Sequence, residues 1–318
     1  MNTIKHLFRN SIQFLLIRFA RAIKPCLNLK IVLFSWFMAQ ESSTLLLKQS
    51  HGFYLLNSQD IGVSRRIYIG MNDEYLKAVK AIEWIVIILS AQAGGGGLNC
   101  SNLVFVDIGA NIGHVCIPLL LYGICSRVIA IEPDPDNYKL LRCNAILNDI
   151  ASKIDFHNTA VGRYMSETLD LELSSDNFGD HRIRVSDVPG LYNENSRQVR
   201  KVESKSLDSL LVEKLTSEEF MLWIDVQGYE GEVLAGTCLL LANKPPVVIE
   251  FWPYGLKRSQ GFESLIKAIS VYDYFYDLLL DRPIAAPVNH LVQLYNSNIQ
   301  NDHFMMDLLF VHADFLID

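Results

Sequence analysis

Val104-Phe-Val-Asp-Ile-Gly-Ala-Asn-Ile-Gly113, running into an apolar stretch from His114 to Tyr122, decides how this chain folds. Val104, Phe105, Val106 and Asp107 read as the end of a buried strand, the glycines at 109 and 113 mark a turn, and the pattern beyond becomes helical. The reading is strand, tight turn, helix. Gly109 lets the backbone reverse with no Cβ in the way, and Gly113 lets the helix begin close to the strand, with its free N–H groups facing the crevice. A crevice at strand tips suits a nucleoside-bearing ligand. A pyrophosphate cradle calls for G-x-G-x-x-G; Ala110 and Asn111 leave only G-x-x-x-G, so a cofactor without phosphate matches better.

The sequence on either side supports an α/β sheet. Arg127 to Glu132 is a second buried strand ending on an acid, and Pro133-Asp134-Pro135 opens a helix, with Asp134 as N-cap and Pro135 in the first helical position. Ile154 to Ala160, Phe220 to Asp225 and Val247 to Glu250 are three further strands, and Gly228 to Leu241 reads as one helix. A helix near Phe262 to Ser270 and strands near Tyr274 to Leu280 and Met306 to His312 close the chain. This alternation predicts a mainly parallel sheet with helices on both faces. Residues 164–206, polar and alternating with turns at Gly179 and Pro189-Gly190, read as a β-hairpin excursion over the sheet edge. Pro118, inside the helix after the glycine turn, predicts a kink.

Upstream, Leu45 to Asn57 reads as a hairpin turning at His51-Gly52, Ser64 to Gly70 as a short extended piece, and Asp73 to Ile88 as a covering helix. Ala93 to Gly97 is a flexible connector; no Lys-Ser or Lys-Thr follows, so its glycines form no phosphate loop. Residues 4–39 are apolar and basic, with Phe8, Ile12, Leu15, Leu16 and Phe19 at helical spacing. No uncharged run reaches the roughly 18 to 20 residues a spanning helix needs. The functional reading of residues 1–40 is a helix lying on an anionic membrane surface; the plain one is a helical extension packed on the domain or on a partner.

The chain is 318 residues long and half apolar, with 28 Lys and Arg against 35 Asp and Glu, so a broad nucleic-acid footprint is not expected. Charge is uneven: the first fifty residues carry seven basic side chains and one acid. The six cysteines contain no C-x-x-C pair, which fits reduced thiols in a cytoplasmic protein.

The chemistry gathers at the strand ends. Glu132 is placed to accept hydrogen bonds from both hydroxyls of a ribose. Asp107 is placed to meet the ammonium of an amino-acid moiety or to tie down the turn's own amides. The combination VDIGANIG (106–113), AIEPDP (130–135), TAVG (159–162), SLDSLL (206–211), IDVQGYEGEVLAG (224–236) and VVIEFWP (247–253) resembles the FkbM family of methyltransferases. The resemblance spans about residues 100–255, with the first and fifth blocks the specific ones. It implies the Rossmann-like class I methyltransferase fold and S-adenosylmethionine as cofactor. It also implies O-methylation of a hydroxyl on a saccharide, polyketide or lipid-linked metabolite. It carries cofactor binding onto Asp107, Gly109, Ala110, Asn111, Gly113, Glu132 and Pro133, with Asn158, Thr159 and Ala160 beside the adenine. Where the family usually shows Asp-Val-Glu-Gly, this chain has Asp225-Val226-Gln227-Gly228, an amide in place of a carboxylate.

Methyl transfer to a hydroxyl needs an aligned approach in a dry site and removal of the hydroxyl proton. Asp225 is the first candidate base, Glu230 and Glu250 the next, then His114, whose plainer role is a partner for loop carbonyls; Glu74 reads first as a surface charge and second as a cap for the cofactor's amino group. Without histidine ligands at helical spacing, no metal is expected. The organisation is a basic amphipathic extension (1–44), a hairpin and covering helix (45–100) and the methyltransferase domain (101–318). Two readings compete: a catalytically silent cofactor-binding module, encouraged by Gln227, and a nicotinamide-dependent oxidoreductase, which lacks the third glycine and a Tyr-Lys pair. Partners are a small-molecule or glycan acceptor and no nucleic acid.

Overall fold

The computed structural model describes residues 27–38, 44–92, 103–214 and 219–312. The chain opens with α1 (Leu27–Met38), the hairpin β1 (Thr44–Gln49) and β2 (Gly52–Asn57), then α2 (Val63–Ile69) and α3 (Asp73–Gln92). Phe34 of α1 is fully buried with Leu45, Leu47, Tyr54, Leu56, Ile67, Tyr68 and Ile112, its ring 5.4 Å from that of Tyr68. That part of the extension therefore packs on the domain. The Phe8 to Phe19 pattern and the Ala93 to Gly97 connector lie outside the described residues.

Residues 64–70 form a helix where an extended piece is expected. Asp60 accepts the backbone N–H of Gly62 (3.0 Å) through Oδ1 and that of Ser64 (2.7 Å) through Oδ2, closing the first turn. Ser64, Ile67 and Tyr68 are then buried along one face, which outweighs the apparent alternation of Ile67, Tyr68 and Ile69.

The central run is β3 (Val104–Ile108), α4 (Cys116–Leu121), β4 (Arg127–Ile131), α5 (Pro135–Leu147) and β5 (Ile154–His157). A smaller sheet follows, made of β6 (Ala160–Val161), β7 (Glu167–Leu173), β8 (Arg182–Ile183) and β9 (Gln198–Lys205). Next come α6 (Leu207–Leu211), β10 (Phe220–Ile224), α7 (Glu230–Ala235), α8 (Cys238–Leu241), β11 (Val247–Phe251), α9 (Pro253–Ser259) and α10 (Phe262–Ile269). The last elements are β12 (Tyr274–Asp277), β13 (Ala285–Pro287), α11 (His290–Asn298) and β14 (Met306–Phe310).

The large sheet runs β13-β12-β14-β11-β10-β3-β4-β5. The strands from β11 through β5 are mutually parallel, while β14 is antiparallel to both β11 and β12, and β13 to β12. All five residues of β3 and of β10 are buried, as strands covered on both faces require. Phe105 and Trp223 point into the core under α3 and α4, whereas Val106 and Ile224 join the core on the opposite face. The chain moves outward from β3 to β4 and β5 and then returns to β10 on the other side. The order therefore reverses between β3 and β10, and a crevice opens at their carboxyl ends.

Three local expectations change. Because α4 starts at Cys116, Pro118 sits in the first turn, where no intrahelical N–H partner is needed, and causes no kink there. The carbonyl its ring leaves unserved, that of His114, accepts from Asn72 Nδ2 at 2.7 Å. The helix expected over 228–241 is two short ones; Thr237 stands between them, its hydroxyl bonded back to Val233 O at 2.6 Å. Residues 164–206 contain the expected antiparallel pair, β7 with β9, but within a four-stranded sheet. Asp134 caps α5 by accepting from Asn137 N, with Pro135 in its first turn, as its sequence predicts. No described helix is long and apolar enough to cross a membrane.

Candidate active site

The tips of three strands are stitched together by backbone bonds. Gly109 N and Ala110 N both donate to Ile131 O (3.0 Å each), and Asp225 N donates to Ile108 O at 3.0 Å. Gly109 has φ +92°, and a Cβ there would lie 2.0 Å from Asp225 O, so only glycine lets the two strand ends meet. Gly113 acts differently from the sequence reading. Its N–H is spent on Ala110 O (2.8 Å) and its Cα packs on Ile117 and Leu141, so it serves the core and not the crevice. Ala110 is buried in the same core. Asp107 also lies behind the turn, close to the thiol and N–H of Cys116, where burial pushes its carboxyl up to about 7.

Glu132 is the keystone of the turn. Its Oε2 accepts from Asn111 N and its Oε1 from Asp134 N, each at 2.8 Å. Burial pushes its carboxyl up to about 8, against the pull of those two amides. Asn111, at φ +49°, donates its side-chain amide to Phe178 O (3.0 Å), and Asn137 donates to the same carbonyl at 3.2 Å. A narrow cavity of about 50 Å³ lies here, walled by Gly109, Asn111, Glu132, Pro133, Asn137, Thr159 and Ala160, and bounded by residues of the 178–183 turn. Asn158 stands aside from it and holds the loop, donating to Glu132 O and Pro133 O (2.8 and 3.1 Å). Thr159 spends its hydroxyl on Glu203 O at 2.9 Å.

The cavity shares Gly109, Asn111 and Asp225 with a cleft of about 1560 Å³. At its floor the Gln227 side-chain amide donates to Asp225 Oδ1 (2.8 Å) and to Glu250 Oε2 (2.9 Å), so one Nε2 bridges two carboxyls. Burial pushes Asp225 up to about 8, with the charge of Glu74 adding to the rise, and pushes Glu250 well above its ordinary range, with Asp225 adding. Glu230 is fully buried and holds the 226–228 loop, accepting from Val226 N and Gly228 N (3.2 and 3.1 Å); it does not line the cleft. His114 and Glu74 do line it, with His114 Nδ1 buried and without a hydrogen-bond partner. Tyr192 and Trp252 line the cleft behind Arg182, which lies 4.8 Å from the Trp252 ring centroid and 5.2 Å from that of Tyr192; Trp252 is 1 % exposed. Among the described residues no group of three or more His, Cys, Asp or Glu is arranged to hold a metal ion.

Residues 107–276 match the Methyltransferase FkbM domain. The chain belongs to the FkbM methyltransferase family. S-adenosylmethionine is the methyl donor of this family, and the strand order and the acid-tipped β4 are those of its Rossmann-like α/β fold. Over 53 residues the chain is 42 % identical to a tRNA(Phe) (4-demethylwyosine(37)-C(7)) aminocarboxypropyltransferase of Pyrococcus horikoshii, a stretch covering 17 % of this chain and 19 % of that protein. Among solved structures, the FkbM methyltransferase of Methylobacillus flagellatus is 19 % identical, with a TM-score of 0.40 over 69 % of this chain and 45 % of its own. The tRNA m1G37 methyltransferase of M. jannaschii is 10 % identical, with a TM-score of 0.36 over 85 % of this chain and 54 % of its own. The chain thus spans about a fifth of that curated relative and under half of the FkbM structure.

The small cavity presents the Glu132 carboxyl beside apolar walls from Ile108, Ile131 and Val226. Among the site residues, sequence reasoning did not single out Asn137 and Asn72. Their only signal was position, one at the start of α5 and the other just before α3.

Proposed function

We propose that this FkbM protein transfers a methyl group from S-adenosylmethionine to a hydroxyl of a small-molecule or glycan acceptor, with Asp225 as general base. The observation that carries this reading is the Asp225–Gln227–Glu250 bridge at the cleft floor, next to the wall shared with the nucleoside cavity. The donor, when bound, supplies an electrophilic methyl group. Gln227 occupies Asp225 Oδ1, which leaves Oδ2 to take the acceptor's proton, and a carboxyl held near 8 has the proton affinity such a base needs near neutral pH. Glu250 then orients Gln227 and is a further hydrogen-bond acceptor for substrate hydroxyls. Neutral polyhydroxylated acceptors fit a floor made of carboxyl and amide groups, which offers both hydrogen-bond donors and acceptors.

Asp107, Gly109, Ala110, Asn111, Gly113, Glu132, Pro133, Asn158, Thr159 and Ala160 form the cofactor half of this proposal. Within it Asp107, Ala110, Gly113 and Asn158 shape the turn from behind, and the others face the cavity. A cytoplasmic location is part of the same reading, supported by the free cysteines Cys116, Cys125, Cys143 and Cys238. The test is transfer of labelled methyl from donor to glycan and lipid fractions of a cell extract. The wild type labels a fraction and Asp225→Ala does not; binding of the demethylated donor with no transfer to any fraction overturns the enzymatic reading in favour of a silent module.

A further inference from the structure

The two cavities meet along Gly109, Asn111 and Asp225 and along Phe178, Gly179, His181 and Arg182. A donor whose nucleoside lies on the Glu132 side therefore projects its amino-acid end past that shared wall into the cleft. Such an end is a zwitterion, with an ammonium and a carboxylate to satisfy in a partly desolvated place. On this side of the wall the cleft is lined by Asn72, Glu74 and His114, brought together by the Asn72 Nδ2 bond to His114 O at 2.7 Å. Glu74 is 21 % exposed and is held from behind by Lys77 at 3.2 Å, with Arg66 at 3.9 Å. His114 is partly open to the cleft, and burial keeps its imidazole neutral, its pKa lowered to about 4. A neutral imidazole still carries one N–H donor. Its Nδ1 is buried without a hydrogen-bond partner, a polar atom that the fold leaves unsatisfied beside the cleft.

We infer that Glu74 and His114 form the seat for the amino-acid end of the donor, Glu74 accepting from its ammonium and the His114 ring donating to its carboxylate. This rests on the cofactor half of the function proposed above. It assigns to His114 a binding role in place of proton transfer.

The test is calorimetric titration of the full chain with two ligands, S-adenosylhomocysteine and 5′-methylthioadenosine, which share the nucleoside and thioether but differ in the amino-acid end. For His114→Phe and Glu74→Gln the expected result is S-adenosylhomocysteine affinity about 10- to 100-fold weaker with methylthioadenosine affinity unchanged, as loss of one charge-assisted bond predicts. His114→Gln, which keeps an N–H donor, stays within a few-fold of wild type for both ligands. Unchanged S-adenosylhomocysteine affinity in His114→Phe and Glu74→Gln overturns the proposal, and so does a parallel loss of both ligands, which marks a structural role. If the wild type binds neither ligand, the cofactor reading itself fails, a result distinct from either of these.

Discussion

Asn111 and Glu132 are locked backbone to side chain: the Asn111 N–H donates to Glu132 Oε2 at 2.8 Å, across the gap between the β3 turn and the tip of β4. The same carboxylate takes Asp134 N through its other oxygen, so one residue fixes the glycine turn and the start of α5 together. Glu132→Ala leaves two buried N–H groups without partners and is expected to cost about 2 to 5 kcal/mol of stability. Glu132→Gln, which keeps one acceptor, costs less. Urea unfolding midpoints rank the two, and equal midpoints would contradict the bridging role.

Folding stability should fall as pH rises from about 5 to 8. Burial raises the carboxyls of Glu132 and Asp225 to about 8 and those of Asp107 and Glu230 to about 7, while in the unfolded chain they titrate near 4. Between those limits the folded state holds protons that the unfolded state has released, so each unit of pH rise favours unfolding. Melting temperatures across this range check the sign. Asp225→Asn, which no longer titrates, should flatten the slope.

Gln227→Glu replaces the bridging amide with a third carboxyl between Asp225 and Glu250. Near pH 8 the three carboxyls repel, whereas near pH 5 protonation relieves them. The variant is expected to lose thermal stability relative to wild type at pH 8 and much less at pH 5. A pH-independent difference would show that charge at residue 227 is irrelevant there.

Gly109→Ala places a side chain at φ +92° and 2.0 Å from Asp225 O, so the β3 and β10 tips must part. The expected cost is about 2 to 4 kcal/mol, from left-handed strain plus overpacking. Gly123→Ala serves as the control, since its φ is +66° but no atom lies within 4 Å of an added Cβ. The difference between the two variants isolates the close approach of the strands.

The parallel core was legible because β3, β4, β10 and β11 are short apolar runs that nothing but a doubly covered sheet can bury, and the acid at 132 marked the adjoining tip. Residues 64–70 misled because the helix there depends on Asp60, outside the window, and on a shared buried face with Phe34 thirty residues earlier. Gly113 misled for a related reason: its neighbours Ile117 and Leu141 come from two different helices, and only their packing shows that its role is spatial. Glu230 reads from the sequence as a second-choice base and not as the loop brace it is. That role needs the fold of residues 226–228 around it.

The turn at 178–183 is tied down over the small cavity. Phe178 is tethered at both ends of its peptide, by Asp60 through its N–H (3.0 Å) and by Asn111 and Asn137 through its carbonyl, over a chamber of about 50 Å³. A nucleoside needs several-fold more room. If the donor settles there only once those three tethers let go, its observed uptake rate is expected to level off at high ligand concentration, with the ceiling raised in Asn137→Ala; stopped-flow binding that stays linear in ligand contradicts this.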